Sequence, residues 1–126
     1  MDESQQEAAQ KQLVERSCAA CRGDTPKLPA KKISEYMLLL EGWAAFDETF
    51  IERTYTFKNF KQALAFFNKV AEIAEEENHH PDMTIRKWRQ VQFYLTTHAV
   101  DGLTDNDFIV AAKIDKLYRE TKAAAL

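Results

Sequence analysis

Long apolar stretches are missing from this 126-residue chain. Runs such as Met37–Leu40 fall far short of the ~20 residues that a membrane-spanning helix needs. The opening MDESQQEAAQKQ is polar and has no hydrophobic signal core. Both lacks predict a soluble protein of the cytoplasm, with the nucleus as a second compartment. An excess of positive charge is missing too, since the formal net charge is −3. A dedicated nucleic-acid binder needs a basic stripe to release counterions from phosphates, so direct nucleic-acid binding is not expected. Cysteine is scarce. Cys18 and Cys21 form one CxxC pair, and no second pair completes a four-ligand zinc site. A thioredoxin-like pair belongs between a strand and a helix, whereas this one lies in a polar stretch with Gly and Pro. The pair therefore reads as reduced thiols in a flexible segment, with weak metal binding or redox sensing as the alternative. A Gly-rich phosphate loop, a GxSxG elbow, an HExxH motif and internal repeats are also absent.

What is present suits one domain. Hydrophobic residues make up 45%, and eight Phe, four Tyr and two Trp supply the bulk of a core. Residues 1–26, rich in Gln, Glu, Lys and Ala, read as a flexible polar tail, and residues 27–126 as the folded domain. A short helix within the first fifteen residues would have little besides Leu13 and Val14 to bury.

Within the domain, Ile33, Tyr36, Met37 and Leu40 mark one face of a helix, and Gly42 stands at its carboxyl end. Strands follow near 43–46 and 49–57, with Asp47–Glu48 as the turn. In the second, Ile51, Tyr55 and Phe57 share one parity with Arg53 as the exception. Asn59 and Gln62 cap the next helix, whose apolar stripe is Phe60, Ala63, Leu64, Phe67, Val70, Ala71 and Ala74. Pro81 forbids its continuation. Residues 82–88 are ambiguous, and 90–97 alternate as a strand. Thr104 and Asp107 open a last helix with apolar residues on more than one face, which suits packing on the sheet and on a partner subunit. The order α-β-β-α-β-β-α, with antiparallel pairs, predicts an α+β two-layer sandwich.

The chemical signal is the histidines. His79, His80 and His98 lie within twenty residues, two in the connection after the central helix and one just past the 90–97 strand. Imidazole is the side chain that titrates near neutrality unperturbed. Two imidazoles on either side of a ligand can donate one proton and accept another. Two other readings stay open at this stage. The HHP turn can be an exposed loop with a structural histidine at the strand end. Three histidines can also hold a metal, although adjacent His79 and His80 rarely bind one ion together.

Glu75-x-x-x-His79-His80-Pro81-Asp82, then Leu95-Thr96-Thr97-His98, then Gly102-Leu103-Thr104-x-x-Asp107 resembles the signature of the pterin carbinolamine dehydratases. Gly42-Trp43, Phe57-x-x-Phe60-x-x-Ala63, Phe67-x-x-Val70-Ala71 and the CxxC extend the likeness. The resemblance implies a four-stranded antiparallel sheet with three helices packed on one face, and a homodimer or homotetramer. It implies a lyase that dehydrates 4a-hydroxytetrahydrobiopterin to quinonoid dihydrobiopterin in tetrahydrobiopterin recycling, without metal or cofactor. It casts His79 and His98 as the proton-transfer pair and His80 as a binder of the pterin. Glu75 would contact the pterin or tune a histidine. Backbone groups of His79–Pro81 and of Thr97, His98, Ala99 and Val100 would hydrogen-bond the ring. Trp43 would be a pocket wall, with plain core as the competing reading. Some relatives of this kind are dimerisation partners of a transcription factor or assembly factors, so a non-catalytic module is the alternative. The chain departs from the usual pattern at Ala99, at Asp101 and along Arg86-Lys87-Trp88-Arg89-Gln90. The interval from His80 to His98 is one residue longer than in the pattern it resembles, which predicts a bulge or a longer hairpin.

Overall fold

Alternation along the strands builds one antiparallel sheet. In the computed structural model, which describes residues 2–20 and 22–125 and side chains through 122, β1 is Ala44–Phe46 and β2 is Phe50–Thr56. β3 is Asp82–Arg86 and β4 is Gln90–Leu95, and the spatial order is β1-β2-β4-β3. Ile51, Tyr55, Val91, Phe93 and Leu95 are buried. Their period of two places them on one face, where the helices pack. Cys21, the second thiol of the CxxC pair, lies outside the described residues.

Arg53 shares this inner face, opposite Phe93. A buried charge is tolerated only with a partner. Here Arg53 Nη1 lies 2.7 Å from Oδ1 of buried Asp115, and the guanidinium sits 4.0 Å above the Tyr55 ring. Asp115 also accepts from the Trp43 indole N–H at 2.9 Å, from the Tyr55 hydroxyl and from the Glu41 N–H at 3.1 Å. The apparent exception in the strand pattern is therefore half of a buried polar hub.

Among the described residues there are four α-helices where three were expected. α1 is Glu3–Glu15, α2 is Ala30–Met37, α3 is Phe60–Glu77 and α4 is Asp105–Ala125. α1 occupies the stretch read as a tail. Asp2 and Gln5 form a capping box at its start, and Leu13 is buried in the core. Its reason lies in α4, where Phe108, Ile109, Val110, Ala111, Ala112 and Ile114 are all buried. The sheet meets such a helix through Arg53 and Tyr55 on Asp115, while α1 and α3 pack along its other sides. The breadth of apolar surface on α4 is thus used within the chain.

α3 begins as predicted, with Asn59 Oδ1 accepting from the Gln62 N–H at 2.9 Å. Its buried face is narrower than the apolar stripe and slightly rotated: Ala63, Phe66, Val70 and Ala74 are buried, while Phe60 and Leu64 are exposed. Phe66 fills the space among Tyr55, Phe57, Phe93 and Tyr118. α2 stops at Met37, so Gly42 does not cap it directly. Gly42 adopts φ +75°, and a Cβ there would stand 2.8 Å from Arg53 Nε. Close approach and a left-handed backbone both require glycine. The ambiguous 82–88 stretch is β3 followed by a hairpin connection. Pairing runs unbroken from Asp82↔Tyr94 to Arg86↔Gln90, so the long interval is a three-residue connection and not a bulge in this ladder. Among the described residues, no helix is long and apolar enough to cross a membrane.

Candidate active site

Two chain reversals at one end of the sheet bring the histidines together. α3 ends at Asn78 in the left-handed conformation, φ +51°, and the His79 N–H closes back onto the Ala74 carbonyl at 3.2 Å. This reversal gives the adjacent residues different surroundings. The His79 side chain is 12% exposed and the His80 side chain 53%. At the end of β4, the backbones of Thr97 and Gly102 pair across a short loop. His98 opens the 3₁₀ turn inside that loop, with Asp101 in the left-handed conformation at its close. The result is a cavity of about 410 Å³ lined by His79, His80, Thr97, His98 and Ala99 among others, a size suited to a small ligand.

Behind His79 stands a carboxylate with no solvent exposure. Asp107 Oδ1 lies 2.7 Å from His79 Nε2. Asp107 Oδ2 accepts from the Thr97 hydroxyl at 2.7 Å and from the Thr104 N–H at 3.0 Å. The Thr104–Asp107 pattern is thus the helix cap read from sequence, with the second carboxylate oxygen left over for an imidazole. Four of the five buried polar residues among the described residues (Thr97, Thr104, Asn106 and Asp107) cluster here, and the fifth is Asp115. Buried polar groups are costly without partners, so this concentration marks the region as specialised. His80 has its own carboxylate, with Nε2 2.5 Å from Glu75 Oε2. The two neighbouring histidines are therefore oriented by different acids.

The remaining sequence candidates divide. Glu75 reaches the site through His80 and does not line the cavity. Pro81 and Val100 are buried and do not line it either. Trp43 is not brought to this cavity: it is core, and its indole N–H is taken by Asp115. Asn106, Glu77 and residues Cys18–Ala20 line the cavity without having been singled out as site residues from the sequence. For Asp107 the cap spacing was the available signal, whereas for Cys18–Ala20 no local pattern points to the site. Burial, and next the negative charge of Glu77, push the Cys18 thiol up to about 12. Among the described residues, no group of three or more His, Cys, Asp and Glu is placed to hold a metal ion. A second cavity of about 420 Å³ lies at the opposite end of the sheet, among Phe57, Phe66, Lys69 and Tyr118. It contains no group that ordinarily titrates near neutrality.

Known proteins resemble this chain in sequence and fold. The family model described as pterin 4 alpha carbinolamine dehydratase matches residues 26–117. A protein of Rubrobacter xylanophilus, provisionally named pterin-4-alpha-carbinolamine dehydratase, is 42% identical over 106 residues, covering 84% of this chain and 98% of its own length. A counterpart from Alkaliphilus metalliredigens with the same provisional name is also 42% identical, over 86% of this chain and 97% of its own. The crystal structure of a transcriptional coactivator/pterin dehydratase from Brucella melitensis superposes with a TM-score of 0.68 at 30% identity, covering 73% of this chain and 98% of that one. A pterin dehydratase-like protein identified as a RuBisCO assembly factor in the alpha-carboxysome shares the fold, with a TM-score of 0.53 at 22% identity over 61% of this chain and 89% of its own. The chain therefore belongs to the pterin 4 alpha carbinolamine dehydratase family, a family of hydro-lyases.

Proposed function

We propose that this protein dehydrates 4a-hydroxytetrahydrobiopterin to quinonoid dihydrobiopterin and water by histidine acid–base catalysis, in tetrahydrobiopterin recycling. The observation that carries the reading is the contact between buried Asp107 and His79, in a cavity shared with His98. The chemistry needs two proton transfers. The departing hydroxyl on C4a must gain a proton, and N5 must lose one as the C4a=N5 bond forms. One imidazolium supplies the first proton and one neutral imidazole takes the second, and both are restored by exchange with water. Such transfers contribute about 10²–10⁴-fold.

Asp107 on Nε2 fixes the ring orientation and tautomer of His79 and leaves Nδ1 for exchange. His98 is the partner in proton transfer. His80, more exposed and held by Glu75, binds and orients the pterin. The reading includes a homodimer or homotetramer, supported by the exposed apolar side chains Leu38, Phe60 and Leu64. It also includes a cytoplasmic location and no resident cofactor. The second reading is a non-catalytic coactivator or assembly module, with a transcription factor as partner and the nucleus as setting. It is favoured by the coactivator role named for the Brucella structure.

The test follows dehydration of freshly generated 4a-hydroxytetrahydropterin by ultraviolet absorbance. His79→Ala and His98→Ala should each lower turnover strongly, and together bring it near the uncatalysed rate. His80→Ala should mainly raise KM. Wild-type rates in all three variants would refute the assignment, and a folded wild type without acceleration would favour the second reading.

A further inference from the structure

The connection between α1 and α2 does not merely pass over the surface as most connections do. The Cys18 N–H donates to Glu77 Oε1 at 2.8 Å. The Ala19 N–H donates to Asn106 Oδ1 at 3.1 Å, and Asn106 Nδ2 donates back to the Ala19 carbonyl at 2.6 Å. Lys113 Nζ donates to the Val14 carbonyl and lies 3.8 Å from Glu77. Ordering a connecting segment costs conformational entropy, and these bonds offset it at defined points.

The anchor points coincide with the catalytic supports. Glu77 ends α3, two residues before His79, and Asn106 is buried beside Asp107 at the start of α4. The clamp therefore references the strap to the same two helix ends that place His79 and its carboxylate. Cys18, Ala19 and Ala20 line the cavity that His79, His80 and His98 also line. Two loops from the sheet end supply the other walls. The strap also precedes residues 26–117, the part that matches the family model.

We infer that the Cys18–Ala20 strap is the third wall of the pterin pocket and sets the size of ligand the pocket accepts. This rests on the dehydratase reading of the same cavity. Alanines at 19 and 20 leave room that a larger side chain would fill. Tethering of α1 is the bland alternative, in which the strap never meets the ligand.

The experiment uses the full chain labelled with ¹⁵N and titrated with biopterin, a stable oxidised pterin. Amide signals of Cys18–Ala20 should move together with those of His79, His80 and Ala99. Movement of the histidine-loop amides without the strap overturns the inference and leaves the dehydratase reading intact. No movement anywhere, with no dehydration by wild type, removes both. In parallel, Ala20→Leu should raise KM for the 4a-hydroxytetrahydropterin about tenfold while kcat holds. Ala20 is exposed, so the variant should fold. An unchanged KM in the folded variant also overturns the inference.

Discussion

His79 and Asp107 are 28 positions apart in the chain, yet Nε2 and Oδ1 stand 2.7 Å from each other. The carboxylate is fully buried and its other oxygen is committed to Thr97 and Thr104. Such a carboxylate acts by holding the imidazole rather than by touching substrate. Asp107→Asn keeps the shape but can present an N–H where His79 needs an acceptor. We expect kcat to fall on the order of 10²-fold, with KM little changed and the pH–rate profile displaced. A wild-type profile in the folded variant would count against this role. Asp107→Ala should in addition cost about 1–3 kcal/mol of stability in urea titrations, because buried donors lose their acceptor.

Asp115 does the corresponding structural work on the inner face of the sheet. It accepts from Trp43, Tyr55, Arg53 and Glu41, and Arg53 is largely buried with it. Asp115→Ala leaves a buried guanidinium unpaired and should destabilise by about 3–5 kcal/mol. Gly42→Ala should act on the same hub, since its Cβ would displace Arg53. Denaturation midpoints check both, and a variant as stable as wild type would show the hub to be dispensable.

Stability should weaken in base. Burial, and then the charge of Asp115, hold the Tyr55 hydroxyl well above the ordinary phenol range. Burial and Glu77 push Cys18 up to about 12. Above about pH 8.5 for thiols and about pH 10 for phenols, the unfolded chain has released protons that the folded chain still holds. The contribution is therefore complete below those values and is lost as pH rises through the raised folded values. Urea midpoints should decline from about pH 9 upward. Cys18→Ser should remove the earlier part of the decline, and a midpoint flat to pH 11 would contradict the assignment.

The β3–β4 connection stores backbone strain. Lys87 and Trp88 have φ of +48° and +54°, and Trp88 is 65% exposed. Left-handed backbone costs a non-glycine residue roughly 1–2 kcal/mol. Asn-Gly at these two positions should raise stability by about 1 kcal/mol, part of the gain being lost to the freer unfolded chain. A thermal midpoint at or below wild type would show that the side chains present hold the turn better.

Much of the fold was legible because it is local. Strand alternation, the Asn59 cap and the Pro81 stop are written within a few residues of where they act. The packing of α1 was not legible, since its polar surface hides the one well-buried residue, Leu13. What makes α1 pack is the second apolar face of α4, a hundred residues on. Arg53 is the exception to the parity of its strand, and its reason is Asp115, 62 positions away.

The family, the sheet and three histidines close together along the chain are legible in the order of residues alone. Short spacing and periodicity depend only on neighbours, so they survive without coordinates. The tertiary structure alone decided that Asp107 serves His79 while Glu75 serves His80, and that Trp43 belongs to Asp115. It alone brought Cys18–Ala20 to the site, through Asn106 some 87 positions later. Hydrogen bonds across such separations are selected by burial, where every polar group must find a partner, and no local pattern in the chain records which partner that is.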